Sequence, residues 1–278
     1  MLRPILVAAC ALVAAHGAGQ SPDLPQRETF LREVREAATS SQQLWHRYTY
    51  KERRTDLHLN PFGRMGMGGT RVTEVRPSAD PRLTYRRVIE RNSAPVSRFE
   101  LDRQDAEYRA RVAEVARETA DADAEERRQQ DELLARRRAQ MVIDDVVKTL
   151  RFDLVRREIR DGRPAIVISF ARRPEARPST REGRLASVFA GHLWVDEATR
   201  ELMYIEGVAR DDVSFGGFIA KVYEGTKAVV VRQEIEPGVW MPTKLTLTGD
   251  VRALFRRAKI DHIIEWFEYR HTPLAPRW

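Results

Sequence analysis

HLWVD (192–196), ELMYIEGVA (201–209), SFGGFIAKVYE (214–224), KAVVVRQEIE (227–236), GVWMPTKLTLT (238–248), VRALFRRA (251–258) and DHIIEWFEY (261–269) follow one another along His192–Arg270. Each piece is rich in β-branched and aromatic residues. The breaks between them hold turn formers: Asp196-Glu197, Asp211-Asp212, Glu224-Gly225, Pro237-Gly238 and Gly249-Asp250. Strands in series with tight turns pair antiparallel, so the stretch reads as a seven-stranded meander. Within it, Val229, Val231 and Ile235 oppose Arg232, Glu234 and Glu236, while Val239, Met241, Leu245 and Leu247 oppose Trp240, Lys244 and Thr246. That is half-buried sheet with one wet face. The strands at 201–209, 215–223 and 260–269 put apolar groups on both faces, so something must cover each side.

More sheet is read upstream. Phe152–Ile159 and Ala165–Phe170 flank Asp161-Gly162, a strong hairpin signal. Residues 70–76 and 82–91 form another pair, with 77–81 as the turn. Trp45–Leu59 alternates, with Trp45, Arg47, Thr49 and Lys51 on one side and His46, Tyr48 and Tyr50 on the other. Before it, 26–44 has helical periodicity, with Phe30, Leu31, Val34, Ala37, Ala38 and Leu44 on one broad face. Such a helix needs a sheet to cover.

The composition changes sharply at 98–140. Glycine and proline vanish, and residues 101–140 hold eleven acidic and nine basic side chains. Leu101, Tyr108 and Val115, with Val112 beside them, leave one narrow stripe on an otherwise solvated helix. Read as one helix it is about 60 Å long at ~1.5 Å per residue. The alternative is a break near Ala120–Ala124 into a helical hairpin. Met141–Thr149 either finishes this helix or forms a short buried element. Residues 171–184, rich in proline and arginine, read as an exposed, mobile loop.

The expected fold is α+β: a strongly bent antiparallel sheet, an unclosed half-barrel, packed with an N-terminal helix and carrying a long charged helical insertion over 98–149. Residues 1–19 read as a secretory signal peptide, with Arg3, an apolar run over Ile5–Ala15 and small residues at 17–19. The run is shorter than the roughly 20 residues of a membrane span, and no other long apolar run follows. Residues 20–278 are then one domain, periplasmic or secreted. The only cysteine, Cys10, falls inside the leader, which leaves no disulfide and no cysteine-ligated metal in the mature chain.

The net charge of +7 is compatible with anionic partners. Nucleic acid is a poor match, because Arg127-Arg128 and Arg136–Arg138 are diluted by acidic neighbours with no interleaved aromatics. Catalytic and metal signatures are missing. His46, His58, His192, His262 and His271 are far apart, no H-E-x-x-H or G-x-S-x-G occurs, and Asp211-Asp212 reads as a turn. Gly66, Gly68 and Gly69 lack the helix start that a phosphate cradle needs. Met65 and Met67 with His58 read as a hairpin tip rather than a copper site. No catalytic residue, cofactor or metal is assigned.

The block GHLWVDEATRELMYIEG…EIEPGVWMPTKLTLTG…HIIEWFEYR resembles the bacterial outer-membrane lipoprotein-sorting (LolA/LolB-like) superfamily. It is most similar to the large periplasmic members with G-x-x-W-V-D-x-x-T, here Gly191–Thr199, and G-x-W-x-P-T, here Gly238–Thr243. The resemblance covers 26–91 and 150–270. It implies a bent open sheet wrapped around helices, whose apolar concavity shelters acyl chains. The helix at 98–140 and the loop at 171–184 depart from that pattern.

The expected function is therefore a non-catalytic periplasmic carrier or binding protein for lipoprotein acyl chains or another apolar ligand. Tyr204, Phe218, Trp240, Leu245 and Trp266 are the candidate lining. The alternative is an envelope interaction protein that docks a partner protein through the charged helix.

Overall fold

Residues 23–59, 65–118, 124–215, 220–253 and 256–272 are described by the computed structural model. The expected leader, the tip of the glycine loop at 60–64 and Phe218 lie outside them. In chain order the elements are α1 (Arg27–Leu44), β1 (Tyr48–Leu59), β2 (Met65–Arg76), β3 (Tyr85–Arg91), β4 (Ala94–Pro95), α2 (Arg98–Glu118), α3 (Ala124–Thr149), β5 (Leu150–Arg160), β6 (Arg163–Arg172), α4 (Arg181–Ala186), β7 (Phe189–Asp196), β8 (Leu202–Ala209), β9 (Val213–Phe215), β10 (Ala220–Val222), β11 (Lys227–Glu236), β12 (Val239–Ala253) and β13 (Arg256–His271).

The strands form one antiparallel sheet in the order β4-β3-β2-β1-β13-β12-β11-β8-β7-β6-β5, with β9 and β10 off this path. Its two ends do not meet, so the sheet is an unclosed half-barrel. Asp161 and Gly162 both have positive φ, 50° and 77°, as the tight β5–β6 turn requires.

Two details of the meander differ from the sequence reading. Residues 214–224 are not one strand. The long hairpin of β8 and β11 is interrupted on both arms, at Asp211-Asp212 and at Glu224-Gly225, and resumes as β9 and β10. Asp212 Oδ1 accepts from Glu224 N (2.9 Å) and holds the two interruptions together. Nor is the expected strand 251–258 separate: β12 runs straight through Gly249-Asp250, where Gly249 pairs with Ile260, so that 251–253 ends β12 and 256–258 begins β13. The turn signal there reflects Gly249 at φ 155°, where an added Cβ meets Thr226 Cα at 2.7 Å. Close approach of Thr226, the residue before β11, requires the glycine.

α1 begins with Gln26, whose side chain accepts from Thr29 N, and packs its apolar face on the sheet. Phe30 and Val34 join Ile166, Ile168 and Val195 in a buried cluster, with Leu31, Phe152, Leu154, Leu193 and Leu202 against it. Each fully buried side chain of this size contributes about 1.5–3 kcal/mol. The helix also reaches β12, so this face of the sheet curves around it. Near the helix end, Ser41 Oγ donates to Glu201 Oε1 (2.5 Å), and Arg232 Nη1 bonds Glu201 Oε2 at 3.1 Å.

The charged segment is two helices separated by 119–123. α2 lies along β3. Gln104 Oε1 accepts from Val88 N (2.8 Å) and Gln104 Nε2 donates to Val88 O (3.1 Å). Tyr85 hydroxyl donates to Asp105, and Tyr108 hydroxyl to Leu83 O (3.1 Å). The stripe read from Leu101, Tyr108 and Val115 is half-buried, so it serves its own domain. α3 includes Met141–Thr149 and packs on α1 and α4. Asp144 of α3 bonds Arg35 (2.5 Å), while Glu132 and Arg136 act electrostatically on His46. α1 and α3 therefore run antiparallel.

The arginine-rich segment is less mobile than its composition implies. Asp145 accepts from Ser179 N and Oγ and from Thr180 N and Oγ1, at 2.6–3.1 Å. Thr180 is buried and caps α4. Burial pushes the Asp145 carboxyl up, but the bonds from Thr180 and Ser179 outweigh it and hold the group well below its usual range.

Candidate ligand-binding face

Residues directly opposite one another in an antiparallel sheet share a face. Followed from strand to strand, the registers place one continuous row on the face that carries α1: Leu154, Ile168, Leu193, Ile205, Val230, Leu245 and Ile264. Each sits in the middle of its strand. The first three pack with α1. Ile205, Val230, Leu245 and Ile264 keep partial exposure. α1 meets the start of β8 at Leu202 and, through Ser41, Glu201, whose other oxygen takes Arg232 of β11; it also contacts β12.

A second row lies beside the first: Phe170, Gly191, Gly207, Ala228, Leu247 and His262. Its centre is small. A Cβ on Gly191 would lie 1.9 Å from Glu206 O, and one on Gly207 would be 3.2 Å from the Phe170 ring. The backbone there is packed too closely for larger residues, and the surface beside the aliphatic row is correspondingly low.

The candidate lining divides between the two faces. Leu245 lies in the aliphatic row. Trp266 is two residues from Ile264 on the same strand, half-buried, with its indole Nε1 donating to Glu52 Oε2 (3.2 Å). Tyr204 points to the opposite face, because Trp194 and Tyr204 pair one residue away from Leu193 and Ile205.

Trp240 belongs to the buried cluster with Ala165, Val167, Trp194 and Met203, against which Tyr204 packs. At 3% exposure it is core. Trp240 thus lies on the face opposite Leu245, as the alternation of the strand places it, although a bulge at Thr243 interrupts the pairing between Val231–Lys244 and Arg232–Pro242. The rings of this face are already covered. The Arg160 guanidinium lies 3.6 Å from the Tyr204 centroid and 4.7 Å from that of Trp194, and Arg163 lies 5.2 Å from that of Trp240. Such cation–π stacking leaves little ring surface for a ligand.

The two sequence motifs are structural. Asp196 of G-x-x-W-V-D-x-x-T accepts from Ala198 N, Thr199 N and Thr199 Oγ1 and pairs with Arg163 (2.5 Å). Burial raises its pKa, and Arg163 with Thr199 more than offsets that. Gly238 of G-x-W-x-P-T takes φ 77° at the β11–β12 turn. Sequence reasoning missed the row itself. Val230 and Ala228 fall inside an apolar run, KAVVV, whose second face the alternation left unread.

An open depression of about 700 Å³ lies along α2, lined by Glu107, Ala110, Arg111, Glu114, Arg117 and Glu118. Its lining is mostly charged and comes from one helix flank, so it is not an apolar site. Among the described residues no group of three or more His, Cys, Asp or Glu is placed to hold a metal, and no helix is long and apolar enough to cross a membrane.

The chain is thus a half-barrel with a helix and an aliphatic row on one face. No family model and no curated protein matches the chain. Among solved structures it is similar to a putative outer membrane lipoprotein-sorting protein domain from Vibrio parahaemolyticus, at 11% identity and TM-score 0.34, over 90% of this chain and 94% of that one. It is also similar to a DUF1329 family protein from Desulfovibrio piger, at 11% identity and TM-score 0.30, over 88% and 94%. A chain from the complex of MucB with MucA(peri) matches at 8% identity and TM-score 0.23, over 89% and 100%. At that overlap the likenesses carry no argument about ligands.

Proposed function

We propose that this chain is a non-catalytic periplasmic carrier or binding protein for an acylated or otherwise apolar ligand. The observation that carries the reading is the partly exposed series Ile205, Val230, Leu245 and Ile264 on the face that holds α1. Contiguous apolar surface of this kind on a protein surface marks a binding site. The secretory leader read over 1–19 supplies the compartment. Leu245 and Trp266 line the ligand; Tyr204 and Trp240 support the sheet from the other side.

The test is titration of the mature protein with a fluorescent fatty-acid probe. Leu245→Asp should weaken binding by at least about tenfold, which at 1.4 kcal/mol is less than two buried methylene groups. Saturable binding that is unchanged in Leu245→Asp would remove the row from the site. No binding to folded protein would end the carrier reading.

A docking reading is favoured by one observation: the outer sides of α2 and α3 expose Phe99 (79%), Met141 (55%) and Leu133 (47%). An envelope protein partner would cover them. In that case Phe99→Ser with Met141→Ser abolishes partner capture and leaves probe binding intact.

A further inference from the structure

The aliphatic row does not stop at Ile264. The same cross-strand register continues it over the next three strands as Arg54, Arg71 and Arg91. One face therefore carries seven aliphatic residues across seven strands, then three arginines across three. We propose that the bound ligand is an anionic amphiphile, a single alkyl chain ending in a carboxylate or phosphate. The chain lies along Ile205–Ile264 and the anion sits at Arg54 and Arg71. This rests on the carrier reading and names the chemistry of its ligand.

Two physical arguments support it. Like charges directly opposite one another destabilise a sheet. Arg54 faces Arg71, and Arg71 faces Arg91, so two consecutive pairings oppose like charges. Arg91 is relieved by Glu100 at 3.6 Å. Arg54 and Arg71 each have an interaction of their own in the chain as well, and an anion between them would offset the repulsion of the facing guanidinium groups.

The second argument is length. From Ile205 to Ile264 is three strand steps, about 14 Å at ~4.8 Å per strand. One leaflet of a ~30 Å hydrocarbon core is about 15 Å deep. A chain that fills the row therefore presents its head group one strand further on, where Arg54 lies. The neighbouring cation on this face, Arg86, is already engaged by Glu52 at 2.7 Å. Trp266 donates to the same carboxylate.

The experiment compares decanoate, decanol and decyltrimethylammonium on the full mature chain, below the critical micelle concentrations of the two ions and the solubility limit of the alcohol. Wild type should bind decanoate at least about tenfold more tightly than decanol, ~1.4 kcal/mol of head-group recognition, and that margin should shrink with added salt. Arg54→Gln with Arg71→Gln should erase the margin and leave decanol binding unchanged; retained decanol binding shows that the variant is folded. Arg71→Glu should turn the preference toward decyltrimethylammonium. Equal affinity of wild type for decanoate and decanol overturns the head-group assignment and leaves the carrier reading standing. A margin that survives the double substitution also overturns it. Failure of all three amphiphiles to bind overturns both.

Discussion

Glu201→Ala should destabilise the protein by about 3–5 kcal/mol, a large effect for one surface-sized carboxylate. Glu201 and Arg232 keep only 8% and 12% of their side-chain area in water and lie 3.1 Å apart. At an effective dielectric constant near 20, two unit charges at that distance attract by about 5 kcal/mol. Arg232 is buried enough that desolvation lowers its pKa, with Glu201 opposing the fall. Removing the carboxylate strands that cation with only the carbonyls of Leu202 and Trp240, and removing one partner of a buried pair costs about 3–5 kcal/mol. Ser41 loses its acceptor as well, so the end of α1 loosens. Replacing both partners, Glu201→Leu with Arg232→Met, removes the uncompensated charge and should recover most of the loss. Urea denaturation followed by tryptophan fluorescence gives both values. If Glu201→Ala costs less than about 1 kcal/mol, or the double variant is no better than the single, the pair is not the buried latch described here.

Asp145→Ala removes four hydrogen bonds to Ser179 and Thr180; it should cost about 1–3 kcal/mol and expose the 173–180 segment to proteolysis at wild-type temperature. Gly191→Val should cost at least ~1–3 kcal/mol in thermal unfolding, because its Cβ would sit 1.9 Å from the Glu206 carbonyl, which is backbone and cannot rotate away. His46 is held below its ordinary value, by burial first and then by Arg47, with Glu132 opposing. A lowered folded pKa favours the neutral imidazole, so this stabilisation is present above about pH 6.5 and is lost as pH falls through the folded value. The depressed Asp145 carboxyl acts in the same direction at lower pH, present above about pH 3.9 and lost below it. NMR titration of His46 should give a pKa under 6.5, and melts should show stability falling in these two steps on acidification.

The strands were legible because their signals are local. Asp161-Gly162 sets one turn, Pro237-Gly238 another, and β-branched runs fill the space between. The entry helix was legible for the same reason: Phe30 and Val34 recur at helical spacing. Register is not local. Whether Val230 faces Ile205 depends on where a neighbouring strand stops, and that Trp240 is covered by Trp194 and Met203 depends on strands far from it in sequence. The candidate lining residues are accordingly divided in place, with Leu245 and Trp266 on one face and Tyr204 and Trp240 on the other. The arginine end of the row left no trace in any one strand. Arg54, Arg71 and Arg91 look like ordinary surface residues until the registers align them.

The two bonds between Gln104 and Val88 have a meaning for the size of the molecule. A β-sheet end offers free N–H and C=O groups and recruits whatever strand it meets. Here a side-chain amide occupies both groups of one edge residue and mimics the next strand without offering a further edge. The charged insertion that the family resemblance leaves unexplained thus works as an end-stop. It leaves Val88 of β3 without a free backbone N–H or C=O for a second copy of the chain to pair with.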